Sequence, residues 1–226
     1  MTPPFPPDEP AWVQARAMLE SGAAWTTPGL VGDDGAQLAV ALPGAEPAAV
    51  ADAMEERDGW TLLVPEAGAR GQAIADELAA RGFDVVPATL YTLPDPSRLP
   101  DDDGAGLLPD GDARAAALAD LPPALAAELA HARGPVVAVA VDGAPAAFAH
   151  APWRTTACFE LSADTVPVHR QKGLATRAAA RLCRIEHAEG RTAVMGALDA
   201  SPAAHRLAER LGMTAHATMF VAWPPA

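Results

Sequence analysis

A chain of 226 residues, half of them apolar, is long enough for one large domain or two small ones with buried cores. Its 29 Asp and Glu outnumber 16 Lys and Arg for a net charge of −13, a field that argues against nucleic acid and anionic membrane as partners. The longest apolar run, Pro135 to Val141, is too short for a bilayer. Met1 to Pro10 is proline-rich and acidic rather than signal-like, and two cysteines allow at most one disulfide, so a cytoplasmic location with reduced thiols is expected.

In chain order, Pro10 to Leu19 reads as a helix, Gly29, Gly32 and Gly35 as a loop, and Gln37 to Leu42 as a strand ending at Pro43-Gly44. Pro47 to Arg57 is helical, Trp60 to Val64 a strand, Gly71 to Arg81 a helix stopped by Gly82, and Asp84 to Leu93 a strand interrupted by Pro87. Residues 94–111, dense in Pro, Asp and Gly, read as a linker. Helices are expected over Asp112 to Ala119 and Pro122 to Ala132, then a hairpin of Val136 to Val141 and Ala144 to His150 around Asp142-Gly143. Thr155 to Thr165 reads as a strand and Leu174 to Ala188 as an amphipathic helix with Arg177, Arg181 and Arg184 along one face. Thr192 to Leu198 is a strand, Pro202 to Leu211 a helix, and Ala215 to Trp223 the last strand.

The densest signal is Arg170-Gln171-Lys172-Gly173-Leu174-Ala175, between a strand and a helix. Gly173 lets a ligand approach the backbone, the helix that follows offers unpaired N–H groups, and Arg170 and Lys172 add cations, a combination suited to a diphosphate. Arg170, Gly173 and Ala175 fill an Arg/Gln-x-x-Gly-x-Gly/Ala pattern, which resembles the acyl-CoA signature of the GNAT superfamily of N-acetyltransferases. The string Glu160 to Thr165 with Pro167, and downstream Gly196 to Ser201 with Arg206 to Met213, resemble further parts of that fold, over roughly residues 106–226.

The resemblance implies an α/β (α+β) fold with a mixed, mostly antiparallel central sheet flanked by helices; the order of elements over 1–100 reads as a smaller α/β domain preceding it. Strand, helix, Gly82-Phe83, strand over Trp60 to Leu93 echoes strand, helix, Gly212-Met213, strand over Thr192 to Trp223. The first hundred residues therefore read as a degenerate half-copy of the same fold, or as an unrelated α/β domain; they lack the Arg-x-x-Gly-x-Ala pattern and are assigned no acyl-CoA site.

The resemblance further implies acetyl transfer from acetyl-CoA, as co-substrate, to the amine of a small molecule or peptide, with no metal; it is compatible with a homodimer. Acyl-CoA contacts are expected from Thr165, Val166, Arg170, Gln171, Lys172, Gly173, Leu174, Ala175 and Thr176. The strand ending near Thr165 is expected to bulge away from Thr192 to Leu198, freeing N–H groups of Thr165 and Val166 to polarise the thioester. Glu160 is the first candidate base, in a strand beside Cys158, Phe159 and Leu161 where desolvation would raise its pKa. Asp164 is the second, and suits equally a role fixing the turn through backbone N–H groups. Where the family pattern has Asn this chain has Ser201, a helix N-cap ahead of Pro202 or a partner for the pantetheine arm; where it has an acidic Tyr the chain has Ala208. These departures keep open a non-catalytic acyl-CoA-binding or scaffolding domain.

Overall fold

The structure, a computed structural model, describes residues 6–22, 24–66, 68–130, 132 and 134–225. Its contacts divide into two compact units: 1–91 with 196–205 and 215–226, and 92–195 with 206–214. This division departs from a break near residue 100, because two C-terminal segments cluster with the N-terminal one.

In the first unit a 3-10 turn at Pro10–Trp12 leads into α1 (Val13–Ser21). Next come β1 (Trp25–Thr27), β2 (Leu30–Asp33) and β3 (Leu38–Ala41), then α2 (Pro47–Glu55), β4 (Thr61–Val64), α3 (Ala69–Ala80) and β5 (Asp84–Thr92). The β1–β2 hairpin corrects the loop reading of the glycine-rich stretch: Thr27 faces Leu30 across a Pro28-Gly29 turn, and Trp25 faces Gly32. Gly32 is a strand residue because a side chain has no room there. A Cβ on it would lie 2.1 Å from the Trp25 ring, which meets the Trp60 ring at 5.6 Å with a 60° tilt and lies under Arg57 at 4.1 Å. Gly32→Ala is therefore expected to destabilise the protein by about 1–3 kcal/mol in chemical unfolding.

Residues 192–223 form β11 (Thr192–Leu198), α7 (Pro202–Leu211) and β12 (Thr214–Trp223). β12 pairs antiparallel with β4, Phe220 facing Val64 and Ala222 facing Leu62, and its other neighbour is β5. The order through this unit is β1-β2-β3-β4-β12-β5; β1–β2, β2–β3 and β4–β12 run antiparallel and β3–β4 parallel. α2 and α3 cover a core of Leu30, Met54, Leu62, Val64, Ile74, Leu78 and Ala222. The expected echo is present in element order, β4-α3-β5 against β11-α7-β12, and the last strand of the chain pairs with β4 of the N-terminal series. Pro87 does not interrupt β5; it is exposed, and its carbonyl accepts the Asp199 N–H at 3.1 Å.

In the second unit the proline-rich stretch is not structureless. A 3-10 turn at Pro96–Arg98 precedes β6 (Ala105–Leu107), which pairs with β7 (Val136–Val141). α4 (Asp112–Ala117) and α5 (Pro123–Ala130) lie between them in sequence. The buried Arg114 ties this segment together, donating to the carbonyls of Pro109 (3.1 Å), Ala132 (3.0 Å) and Gly134 (3.4 Å) and pairing with Asp110. β7 turns into β8 (Ala144–His150) through Asp142 (φ 53°) and Gly143 (φ 84°), left-handed at both central positions as a tight hairpin requires. The strand expected over 155–165 is two strands, β9 (Cys158–Glu160) and β10 (Ser162–Thr165), followed by α6 (Leu174–Ala188).

The antiparallel order here is β10-β8-β7-β6. One face carries Val136, Ala138 and Phe148, packed with Leu118 and Leu129 of the α4–α5 segment; α6 packs across β7, β8 and β10. The three arginines of α6 face the segment at residues 99–103. Arg177 donates to the Asp103 carbonyl (2.8 Å) and Arg184 to those of Leu99 (3.1 Å) and Pro100 (2.8 Å), while Arg184 and Arg181 lie 3.1 and 3.8 Å from the Asp102 carboxylate. They strap residues 99–103 onto the helix.

Candidate active site

The site begins where one strand divides. β9 runs parallel to β11, Cys158 facing Thr192 and Glu160 facing Val194, and the Leu161 N–H donates to the Val194 carbonyl at 2.7 Å. From Ser162 onward the chain pairs instead with β8, Ser162 facing His150 and Thr165 facing Ala147. The ladder to β11 thus ends at Leu161, and β10 turns its outer edge away from any partner strand.

Hydrogen-bond alternation decides which amides that edge exposes. The Val166 N–H donates to Ala146 at 2.9 Å, so it belongs to the β8 side and is not an oxyanion donor, contrary to the expectation for Val166. In an antiparallel ladder alternate residues point the other way, so the N–H groups of Thr165 and Ala163 face the outer edge. The Thr165 N–H lies on that outer edge, and its carbonyl accepts from Arg170 Nε at 3.3 Å.

The chain then passes a 3-10 turn at Pro167–His169. Gln171 (φ 64°) and Gly173 (φ 76°), either side of Lys172, are left-handed, an alternation that turns successive N–H groups to one side and forms an anion nest. Gly173 is the N-cap of α6 with no side-chain cap, and the first turn holds no acidic residue. Arg177 is the first residue whose N–H reaches a carbonyl of the helix start, that of Gly173 at 3.3 Å. The amides of Leu174, Ala175 and Thr176 therefore precede the helical ladder. A Cβ on Gly173 would meet nothing within 4 Å, so the space above this nest is open. With Arg177 strapping Asp103, the cations at the nest are the exposed Arg170 and Lys172, the latter with Nζ 3.3 Å from His169 Nδ1. This set suits a diphosphate: convergent amides, a helix dipole and two mobile cations.

The corresponding turn of the N-terminal series, between β3 and α2, is furnished in the opposite sense. Its Gly44 N–H donates to Glu66 at 3.4 Å, and Arg70 lies near Glu46 (3.8 Å) and Glu66 (4.0 Å). Carboxylates stand there where an anion would have to bind.

Two carboxylates lie on the divided strand. Glu160 is half-buried at the end of β9, its N–H donating to Trp153 at 2.8 Å. Asp164 is half-buried on β10, and among the described residues no backbone N–H holds its carboxylate, so the turn-fixing role anticipated for it is not the one seen. Burial first, then the charge of Glu128, pushes Asp164 above the usual carboxylate range, with His150 and Arg170 pulling the other way. His150 and Glu128 were not singled out from sequence. His150, opposite Ser162, is buried with Nε2 3.1 Å from Glu128 Oε1, near enough for an ion pair but off the line of a good hydrogen bond. Contact with His150 holds Glu128 below the usual range despite partial burial. Nothing in one-dimensional order marks this group, because α5, β8 and β10 supply one member each.

Ser201 directly precedes α7, the N-cap position expected of it, its carbonyl taking the His205 N–H at 3.3 Å. Ala208 is wholly buried. His205 is a second histidine the sequence left unassigned: Nδ1 lies 2.9 Å from the hydroxyl of Tyr91 and Nε2 3.1 Å from the Leu198 carbonyl, bracing the turn between β11 and α7. Cys158 and Cys183 are buried and not joined in a disulfide, and burial pushes the Cys183 thiol up to about 12. Among the described residues no group of His, Cys, Asp and Glu is arranged to hold a metal ion, and no helix is long and apolar enough to cross a membrane.

No family model matches the chain, and no curated protein does. Solved structures do. A putative acetyltransferase of the GNAT family from Novosphingobium aromaticivorans superimposes with a TM-score of 0.68 at 25% identity, covering 95% of this chain and 96% of that one. By fold, this chain is a member of the GNAT superfamily. A GCN5-related N-acetyltransferase from Kribbella flavida matches with a TM-score of 0.66 at 23% identity, over 96% and 94% of the two chains. A tandem GNAT protein from the clavulanic acid biosynthesis pathway matches with a TM-score of 0.51 at 20% identity, over 87% and 78%. The GNAT likeness thus spans nearly the whole chain, including the N-terminal residues that carry no acyl-CoA pattern.

Proposed function

We propose that the chain is an N-acyltransferase that moves an acetyl or other acyl group from acetyl-CoA to an amine. The observation that carries this reading is the division of one strand into β9 and β10 immediately before the nest at 170–176. It leaves outward N–H groups on β10 a few residues from an uncapped helix N-terminus. Gln171 to Thr176 would cradle the diphosphate through backbone amides, with Arg170 and Lys172 as counter-charges and the open space at Gly173 admitting it. Acetyl-CoA, when bound, supplies an activated thioester. The chain's part is to aim the Thr165 N–H at the carbonyl oxygen, where it stabilises developing negative charge, and to take a proton from the amine with a carboxylate of the same strand.

The net charge of −13 favours a cationic acceptor such as a polyamine, an aminoglycoside-like molecule or a basic peptide. Buried thiols suit a reduced, cytoplasmic setting. The tandem GNAT relative supports reading residues 1–100 as a degenerate copy of the fold.

Titration calorimetry with acetyl-CoA, followed by thiol release in the presence of amines, tests the proposal. Saturable binding with amine-dependent release is the expected result. The buried Ala208, standing where the family pattern has a tyrosine acid, favours a second reading, a non-catalytic acyl-CoA-binding or scaffolding domain. Saturable binding with no release under any amine would establish that reading instead.

A further inference from the structure

Three elements of the second unit converge on one patch of the β10-β8-β7-β6 sheet. Ser162 faces His150 across the β10–β8 ladder, so Asp164, two residues along β10, shares His150's face. Phe148, directly opposite Asp164, packs with Leu129 of α5, which puts that helix over the same face. From α5, Glu128 reaches to 3.1 Å from His150 Nε2. His150 is only 2% exposed, whereas the Glu128 side chain is half exposed.

We propose that Asp164, seated beside the buried His150 and under α5, is the general base of the reaction, and that Glu128 is a positioning residue that governs when Asp164 holds a proton. This rests on the acyltransfer reading. The groups facing Asp164 are Glu128 from α5, His150 from β8 and Arg170 from the loop after β10. The arginines of α6 are engaged with residues 99–103. Burial and the Glu128 carboxylate disfavour a charge on Asp164, which brings its proton affinity toward the range a base needs near neutrality, and His150 keeps Glu128 ionised so that its charge persists.

In the step itself the acceptor arrives as an ammonium. Asp164 takes one N–H proton, the freed lone pair forms the C–N bond to the acyl carbon, and the C–S bond breaks with its electrons going to sulfur. The second proton lost from nitrogen goes to the thiolate. Ammonium and thioester become amide, thiol and one proton, which Asp164 releases to solvent.

The test pairs Asp164→Asn with Glu128→Gln, each checked by thermal unfolding and acetyl-CoA calorimetry, using spermidine, kanamycin and a lysine-containing peptide as acceptors. Asp164→Asn is expected to lower kcat by about 10²–10⁴-fold with acetyl-CoA affinity unchanged. Glu128→Gln removes a repulsive charge, so Asp164 loses its proton more readily and the acidic limb of kcat/KM moves to lower pH. Isotope-edited infrared titration of the Asp164 carboxyl should show the same shift without turnover. An active wild type whose Asp164→Asn variant keeps its rate, or an infrared titration that Glu128→Gln leaves in place, overturns this inference alone. A wild type that binds acetyl-CoA but releases no thiol with any acceptor overturns the acyltransfer reading and the base with it.

Discussion

Gly173→Val is expected to abolish binding of CoA by calorimetry while leaving a folded protein. Gly173 is left-handed (φ 76°), a conformation a β-branched residue adopts only at a cost of order 1–3 kcal/mol, enough to lower the melting temperature without unfolding a domain. Nothing in the chain lies within 4 Å of the Cβ position, so the substitution makes no clash of its own. What the side chain fills is the space over the nest at Gln171 to Thr176. Gly173→Ala separates the two effects: it carries backbone strain with far less bulk, and should weaken CoA less than valine does at a comparable loss of stability. Undiminished affinity in a folded valine variant would remove the diphosphate site from this loop.

The second large effect concerns the N-terminal segment. Residues 1–100, expressed alone, are expected to show no cooperative unfolding transition. One edge of β4 pairs with β3 and the other with β12, from far along the chain, whose Ala222 belongs to the same core as Leu62, Val64 and Ile74. Without it, β4 presents a row of unpaired amides and carbonyls and the core loses one wall, a combination that favours aggregation over folding. For the same reason, truncation after Met213 should cost the full-length protein its solubility. A soluble 1–100 fragment with a sharp thermal transition would show that the first series closes on itself.

Much of the chain is legible locally. Leu174–Ala188 and Thr192–Leu198 stand where glycine signals and apolar periodicity put them, because capping and turn chemistry act over a few residues. The Asp142-Gly143 hairpin and the Arg170–Ala175 loop are local in the same sense. Each is a backbone conformation that particular residue types favour wherever the rest of the chain goes. The β1–β2 hairpin escaped this reading because Gly32 argues against a strand until the Trp25 ring is found lying over it.

From the order of residues alone came the fold class, the glycine-marked loop at Arg170–Ala175 and the two carboxylates, Glu160 and Asp164, of the divided strand. Only the folded chain decided that Val166 spends its N–H on Ala146 while Thr165 does not, that β12 pairs with β4, and that Asp164 keeps company with His150 and Glu128. The reason is common to all three. Strand pairing joins backbone groups that are chemically alike in every residue, so side-chain identity says little about which strand lies alongside, and the pairing sets both the direction of each amide and the neighbours of each carboxylate.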